Sequence, residues 1–323
     1  MPLAVTVVND IENCFPKIPD IFFITCASFE ERCLGVPQKL SKGFQFEKGC
    51  VFVYDDPNKK RERNLEKLET TLISRGHFTK ISTSENDPLP AIGKLYNELK
   101  NVKQRDFAKS AITLDISTFT KRHLLLLLKA IDDLGLWKNL RIFYTEPREY
   151  IADLYLPMSR GIRTISPISG FISNSPPNLP VLLIIFLGYE GDRARAIYEN
   201  LDPEDTILIV PKPAYHKEWE NRTEKMNQSL IRMVEREKIE NAHSINPIDV
   251  ANHLQKVLKR FNPNKWRWII VPLGTKPQAL GTYLFWRQHP NAFSIVYAQP
   301  LKHNERFFST GIGKTWLLKD REK

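Results

Sequence analysis

Short runs that are almost entirely apolar alternate along the chain with longer segments in which apolar residues recur at helical spacing. The runs at 21–26 and 50–54 illustrate the pattern, and polar residues or proline follow each of them. Continuous apolar runs indicate strands buried on both faces, which is typical of parallel sheets covered by helices. The pattern therefore predicts an α/β fold. The predicted strands of the first half are 21–26, 50–54, 80–83, 111–115 and 141–144.

The same order of strands and helices recurs in the second half of the chain. Between the halves, residues 166–180 are rich in proline, serine and asparagine, which interrupt regular structure. We therefore predict two similar Rossmann-like halves, each with a doubly wound, mainly parallel sheet, that form an internal pseudo-dimer. The predicted divisions are a first half at 1–165, a linker at 166–180, and a second half at 181–323 with a basic C-terminal tail. The predicted strands of the second half are 181–187, 206–210, 242–245, 268–271 and 293–297.

Three local patterns lead to narrower predictions. Ser28 with Glu31 three residues later predicts a capping box at the start of the first helix. The charged segment 219–238 predicts one long helix that faces solvent or a partner. The stretch 311–315 resembles the end of a Walker phosphate loop, but it lacks the first glycine and is not assigned to phosphate binding.

Polar landmarks occur in the same order in both halves, which predicts an internal repeat. The first strand is followed by an aromatic–Glu pair and an arginine, the fourth by Thr-Lys, and the fifth by proline. All of them follow strands, so they belong to the sheet edge formed by the strand carboxyl ends, where ligands of such folds bind. The paired landmarks are Glu30 with Glu190, Arg32 with Arg193, Lys121 with Lys276, and Pro147 with Pro300.

The arginines and the loops after the fourth strands are candidates for anion binding. The helix dipole disfavours a cation in the first turn, so Arg32 and Arg193 are explained if each clamps an anion. The alternative is an ion pair with a neighbouring carboxylate. Hydroxyls, helix-terminal N–H groups and an ammonium would complete a phosphate site. The predicted ligand-binding residues are Ser28, Glu30, Arg32, Ser117, Thr118, Thr120, Lys121, Tyr189, Glu190, Arg193, Gly274, Thr275, Lys276 and Gln299.

Two carboxylates are the candidates for catalysis if the chain is an enzyme. Asp115 and Glu146 end the fourth and fifth predicted strands of the first half, whereas the second half has Pro272 and Gln299 there. The pair could hold Mg²⁺ or do acid–base work. Alternatively, the carboxylates cap helices and orient neighbouring cations. The histidines and cysteines do not have the spacing of a metal site or of a catalytic triad, and no metal ligand is assigned.

Composition favours an anionic partner. The 323 residues carry a net charge of +10 with a pI near 9.3, which suits a nucleotide, a nucleic acid or an acidic protein surface, although solvation alone would also explain it. The four cysteines form no CxxC pair and suit a reducing compartment. There is no signal-peptide pattern, and the longest apolar run is far shorter than the roughly 20 residues of a membrane helix. We expect a cytoplasmic protein with no membrane partner.

The loop Leu273-Gly274-Thr275-Lys276-Pro277 after a predicted strand resembles the ligand loop of CRISPR-associated Rossmann-fold (CARF) sensors. A chain with two such halves is similar in plan to the SAVED sensors, which resemble two fused CARF units. This resemblance implies a cyclic oligonucleotide ligand, bound in a cleft between the two halves, and a role in antiviral defence. The first half departs from the pattern, because residues 115–121 form a longer loop without the glycine.

These observations favour a binding module over other classes of protein. The leading hypothesis is a cytoplasmic sensor or accessory subunit for a nucleotide or oligonucleotide. The first alternative is an enzyme that acts on a nucleotide or nucleic acid, with Asp115, Glu146 and Lys121 at its site and Mg²⁺ as its cofactor. The second alternative is a basic subunit of a larger complex with nucleic acid or protein partners.

Overall fold

The computed structural model describes residues 3–8, 20–40, 43–102, 111–151 and 157–320. The strands are β1 (Leu3–Val8), β2 (Asp20–Ala27), β3 (Phe46–Tyr54), β4 (His77–Thr83), β5 (Ile112–Asp115), β6 (Leu140–Tyr150), β7 (Ser159–Pro167), β8 (Val181–Phe186), β9 (Asp205–Pro211), β10 (Ile239–Ala242), β11 (Arg267–Pro272), β12 (Phe293–His303) and β13 (Ser309–Asp320). The helices are α1 (Gly35–Lys39), α2 (Lys59–Leu72), α3 (Leu89–Val102), α4 (Lys121–Asp133), α5 (Gly191–Leu201), α6 (Arg222–Met226), α7 (Gln228–Ile231), α8 (Pro247–Arg260) and α9 (Lys276–Gln288).

The chain folds into two compact units. The first unit contains Met1–Tyr150 together with Ser309–Lys323, and the second contains Ile151–Phe308. Each unit has its own sheet and its own apolar core. The unit boundaries differ from the predicted division, because residues 166–180 lie inside the second unit and the end of the chain belongs to the first.

The first unit has a seven-stranded sheet in the order β1-β13-β6-β5-β2-β3-β4. Strands β2 to β6 pair in parallel, while β13 pairs antiparallel with both β6 and β1. Numbered along the chain, the five parallel strands therefore have the order 3-2-1-4-5. This is the Rossmann order, and it reverses between β2 and β5.

The second unit has a six-stranded sheet in the order β10-β9-β8-β11-β12-β7. Strands β8 to β12 pair in parallel and β7 pairs antiparallel with β12. The parallel strands again have the order 3-2-1-4-5, with the reversal between β8 and β11. The prediction of two Rossmann-like halves is therefore confirmed.

The fifth parallel strand of each unit is long and carries an irregularity near a proline. β6 and β12 each have 11 residues. The register of β13 against β6 shifts between Ile312 and Thr315, opposite Pro147, and that of β12 against β7 shifts between Gln299 and Pro300. Such bulges fit proline, which has no N–H for the ladder.

Four local predictions are corrected by the structure. The predicted basic tail forms the bulged strand β13, and β7 occupies part of the predicted linker. Ser28 and Glu31 form no capping box, because the Ser28 hydroxyl accepts from the Glu30 N–H and a 3-10 turn follows at Glu31–Leu34. The predicted long helix at 219–238 is broken into α6, α7 and flanking 3-10 turns.

The break in that predicted helix has a clear cause at Asn227. Its side chain is fully buried, and its Nδ2 donates to the carbonyls of Gly188 and Thr223, each at 2.7 Å. An asparagine that bonds the backbone in this way competes with helical hydrogen bonding. Charge periodicity alone does not reveal such a contact.

Strands and helices share the apolar core, and the continuous runs form fully buried strands, as predicted. All eight residues of β2 and all six residues of β8 are buried. Cys26, Cys33 and Cys50 are free, buried thiols, and burial raises the pKa of Cys33 to about 12. Cys14 lies outside the described residues. In the described part of the chain, no helix has the length and apolarity to cross a membrane.

Candidate functional site

In the first unit, the strand order reverses between β2 and β5, whose carboxyl ends are Ala27 and Asp115. The predicted site residues 28–32 and 115–121 follow these two ends directly. The sequence thus placed its candidates beside the switch point, the position at which open α/β sheets bind ligands. The second unit has the equivalent reversal between β8 and β11, followed by residues 188–193 and 273–276.

A buried ion pair occupies the start of this edge in the first unit. Arg32 donates from Nε and Nη2 to the two carboxylate oxygens of Glu30, at 2.9 and 2.8 Å, and from Nη1 to the Tyr144 hydroxyl at 3.3 Å. The Ser309 hydroxyl, at the start of β13, donates to Glu30 at 2.5 Å. Burial lowers the pKa of Arg32, but the charge of Glu30 outweighs this and raises it above its ordinary value. Arg32 is therefore charged.

The second unit contains the same combination of residue types. Arg193 pairs with Glu190 and donates to the Ala298 carbonyl, and its guanidinium lies 5.8 Å from the ring centre of Tyr297. The Ser159 hydroxyl, at the start of β7, donates to Glu190. In each unit, therefore, Glu, Arg, a tyrosine of the fifth strand and the first serine of its antiparallel neighbour form one cluster.

These contacts favour the ion-pair alternative for both arginines. Arg32 is 2% exposed and Arg193 is 7% exposed, and the charge of each is neutralised by its glutamate. Their position in the first turn is explained without an anionic ligand. Their part at the edge is to hold the segment that follows the first strand against the fifth strand.

Asp115 organises the loop between β5 and α4. Its carboxylate accepts from the N–H and hydroxyl of Ser117 and from Thr25 at 3.2 Å. The Ser117 hydroxyl in turn accepts from the Thr145 N–H, and the Thr118 hydroxyl donates to the Cys26 carbonyl at 2.7 Å. Burial raises the pKa of Asp115 to about 6, although these hydrogen bonds oppose the rise. Since Asp115 is 1% exposed, its contacts are those of a residue that orients the loop.

Glu146 is also buried, beneath the bulge of β13. The Lys314 N–H donates to its carboxylate at 3.3 Å, and a Cβ at position 313 would meet its Cγ at 2.8 Å. Gly313 therefore makes room for Glu146. Burial lowers the pKa of the neighbouring Lys39, and the charge of Glu146 opposes that change. Within the described residues, no group of three or more His, Cys, Asp and Glu side chains is placed to hold a metal ion.

The start of α4 is held by a histidine that the sequence reasoning missed. Thr120 is the N-cap, and its hydroxyl contacts the N–H and Nδ1 of His123 at 3.3 and 2.7 Å. Nε2 of His123 contacts the Thr83 hydroxyl at 2.9 Å, and the Thr120 N–H donates to the Tyr54 hydroxyl at 3.0 Å. Burial lowers the pKa of His123 to about 4, so the ring is neutral. The spacing Thr-x-x-His, with the threonine as N-cap, was the available signal.

The start of α9 is held by a complete capping box. The Thr275 hydroxyl accepts from the Gln278 N–H at 3.2 Å, and the Gln278 side chain accepts from the Thr275 N–H at 3.0 Å. Gly274 is required here, since a Cβ at that position would lie 2.1 Å from Oε1 of Gln278. The glycine, threonine and glutamine of this segment thus have structural roles. Lys276 is the first residue of the helix.

The remaining candidates differ in accessibility. Lys121 and Lys276 are partly exposed at the first positions of α4 and α9. Tyr189 is also partly exposed, with the Arg222 guanidinium 4.8 Å from its ring centre. Ser28 and Gln299 are buried. The lysines, with the helix N-termini behind them, are the accessible cations of the predicted set.

No protein-family model matches the chain, and no curated protein matches it. Among solved structures, one similar chain is described as a "Type III CRISPR defence DNA nuclease activated by cyclic oligoadenylate". It shares 9% identity at a TM-score of 0.49, over 83% of this chain and 64% of its own length. This chain thus spans less than two thirds of that protein. A second is the cytoplasmic domain of a prokaryotic cation chloride cotransporter, with 10% identity and a TM-score of 0.26, over 90% of this chain and 99% of that one.

Proposed function

We propose that the chain is a sensor or accessory subunit that binds a nucleotide-type anion at the carboxyl edges of its two parallel sheets. The observation that carries the proposal is the pair of Thr-Lys helix starts. Thr120-Lys121 and Thr275-Lys276 open the helices after the fourth strands, in two sheets of the same order.

The chemistry of these helix starts suits phosphate. The N-terminal turn of a helix presents N–H groups and the positive end of the dipole, both of which favour an anion. Both α4 and α9 have 13 residues, and each begins with a partly exposed lysine. A lysine ammonium adds a charge-assisted hydrogen bond. Because Pro277 has no N–H, and because the Gln278 and His123 N–H groups are bonded to the capping threonines, the helix dipole and the lysine are what each helix start offers a phosphate group.

The ligand class follows from the sequence resemblance together with this chemistry. The loop 273–277 resembles the ligand loop of CARF sensors, and the net charge of +10 suits an anionic ligand. We infer a cyclic oligonucleotide, which presents a phosphate to the lysine of a helix start, and a role in antiviral defence in the cytoplasm. A protein or nucleic acid partner would then receive the signal.

The enzyme alternative finds less support in the arrangement of the first unit. An acid–base residue must reach the substrate within hydrogen-bond distance. Asp115 and Glu146 are each 1% exposed, and the Asp115 carboxylate is surrounded by hydroxyl and N–H groups of its own unit. We assign Asp115 a positioning role for the loop that leads to Lys121.

Mass spectrometry of small molecules released from the purified, denatured protein tests the ligand class. The proposal expects a phosphorylated nucleoside compound from the unaltered chain and much less from Lys121→Ala/Lys276→Ala. Lys129→Ala is the matched control, since Lys129 lies on α4 away from its start and pairs with Asp133. A sugar, lipid or metabolite without phosphate, retained by the double variant, would contradict the proposal.

A further inference from the structure

A concentration of positive charge lies in the second unit, outside the proposed nucleotide site. From 250 to 304 the sequence contains no Asp or Glu, but it contains eight Lys and Arg residues. Five of these, Lys256, Lys259, Arg260, Lys265 and Arg267, fall within residues 256–267, which we call the basic aromatic turn. This turn links the end of α8 to the start of β11, so it lies at the amino edge of the sheet, opposite the Thr275-Lys276 helix start.

Two aromatic rings lie among these cations. Phe261 and Trp266 are partly exposed, and their ring centres are 5.5 Å apart with the planes at 79°. The Arg260 guanidinium lies 5.9 Å from the ring centre of Phe261. Lys256, Lys259 and Lys265 are exposed. The surface therefore offers ring faces and edges within a group of positive charges.

The turn is fixed by its own hydrogen bonds. The Asn262 carbonyl accepts from the N–H groups of Lys265 and Trp266, at 2.9 and 3.1 Å, and its side chain accepts from the Asn264 N–H at 2.9 Å. The Phe261 N–H closes the end of α8 on Val257 at 2.9 Å. The two rings are thus held in place before any partner binds, which lowers the entropic cost of stacking.

Among the described residues, the carboxylates near the turn bond to groups other than the exposed lysines. Glu240 of β10 pairs with Arg260 and His253. The Glu204 carboxylate accepts from the Val181 N–H, next to Arg267 in the sheet register. Cations in the last turn of a helix offset its dipole, which accounts for Lys259 and Arg260. It does not account for Lys265, which follows the helix, or for two partly exposed rings.

We propose that the basic aromatic turn binds single-stranded nucleic acid. Cations that follow the phosphate backbone and aromatic side chains on which bases stack are the two features such surfaces combine. Bases in a duplex are already stacked on each other, so Phe261 and Trp266 would engage only unpaired bases. This function is separate from the proposed nucleotide site, because the two lie at opposite edges of the sheet.

Fluorescence anisotropy with a labelled oligonucleotide of about 15 thymidylates or uridylates tests the proposal at about 50 mM salt. We expect binding that weakens as salt rises and that is tighter than binding to a duplex of equal length. Trp266→Ala should weaken binding by about fivefold or more. Lys259→Ala/Lys265→Ala should weaken binding and reduce the slope of log affinity against log salt concentration by about one to two.

Lys59→Ala/Lys60→Ala is the matched control, because it removes two exposed lysines from the start of α2 in the first unit. Should Trp266→Ala fail to fold, the replacement measurement is the quenching of tryptophan fluorescence by the oligonucleotide. We expect quenching in the unaltered chain and less quenching in Trp266→Phe. The absence of binding, equal binding to duplex, or an equal loss in the control would overturn the proposal.

Discussion

Arg32 and Glu30 form a buried, bidentate ion pair in which both nitrogen–oxygen distances are shorter than 3 Å. The pair anchors the segment after β2 to Tyr144 of β6 and to Ser309 of β13. Arg193 and Glu190 form the counterpart in the second unit. The residues that looked like anion clamps in the sequence are therefore the internal supports of each candidate edge.

Glu30→Gln should destabilise the protein strongly, because it leaves the buried Arg32 charge without its counter-ion. Breaking a buried pair from one side costs about 3–5 kcal/mol in free energy of unfolding. Glu199→Gln is the control, since its pair with Arg195 is about half exposed and contributes roughly 0.5 kcal/mol. Urea unfolding followed by circular dichroism measures both. Equal losses in the two variants would show that the Glu30 pair does not anchor the unit.

The pH dependence of stability should reveal two opposing groups in the first unit. The pKa of His123 is lowered to about 4 by burial, so its contribution to stability is lost as the pH falls from about 6.5 to 4. The pKa of Asp115 is raised to about 6, so its contribution is present at low pH and is lost as the pH rises from about 4 to 6. The two effects partly cancel in the unaltered chain.

Single variants should separate these effects. In Asp115→Asn, the free energy of unfolding should rise more steeply as the pH increases from about 4 to 6. The reason is that the titration of His123 is then no longer opposed by that of Asp115. His123→Gln should remove that rise and leave a fall over the same range. The measurement is the urea midpoint of each variant at a series of pH values. A slope that is the same in both variants and in the unaltered chain would contradict the assignment.

Gly274→Ala should weaken the start of α9. The added Cβ would lie 2.1 Å from Oε1 of Gln278, so the capping box with Thr275 would have to open. Loss of such a cap costs about 1 kcal/mol. Gly93→Ala is the control, because nothing lies within 4 Å of its Cβ and alanine favours a helix by about 1 kcal/mol. Thermal melts should therefore shift in opposite directions, and a downward shift in both would refute the argument.

The sequence was sufficient for the parallel part of each sheet because buried strands have a local signature. Every residue of β2 and β8 is buried and all but Asp20 and Thr25 are apolar, and the helices between strands show apolar periodicity. The antiparallel strands β7 and β13 lack this signature. β7 has intermediate or exposed residues at most positions. Its third residue, Gly161, has a left-handed conformation at φ +61°. Pairing with β12 and β6 is a tertiary effect that local composition does not encode.

The sequence predicted where the candidate residues lie in the fold, but not the contacts that each of them makes. Sequence order placed the candidates at the strand carboxyl ends, since that edge follows from the α/β pattern. Sequence order did not distinguish Arg32, which forms a buried ion pair with Glu30, from Lys121, which is partly exposed. His123 was missed because its contact with Thr83 depends on β4, which is 40 residues away in the sequence.

Isothermal titration calorimetry with cyclic oligonucleotides tests the central claim most directly. The account predicts that the unaltered protein binds, and that Lys121→Ala and Lys276→Ala each lose about 1–3 kcal/mol of binding free energy, the scale of a hydrogen bond to a charged group. Lys129→Ala, with the same change on the exposed part of α4, should bind as the unaltered protein does. Unchanged affinity in both helix-start variants, with circular dichroism showing intact folds, would contradict the account.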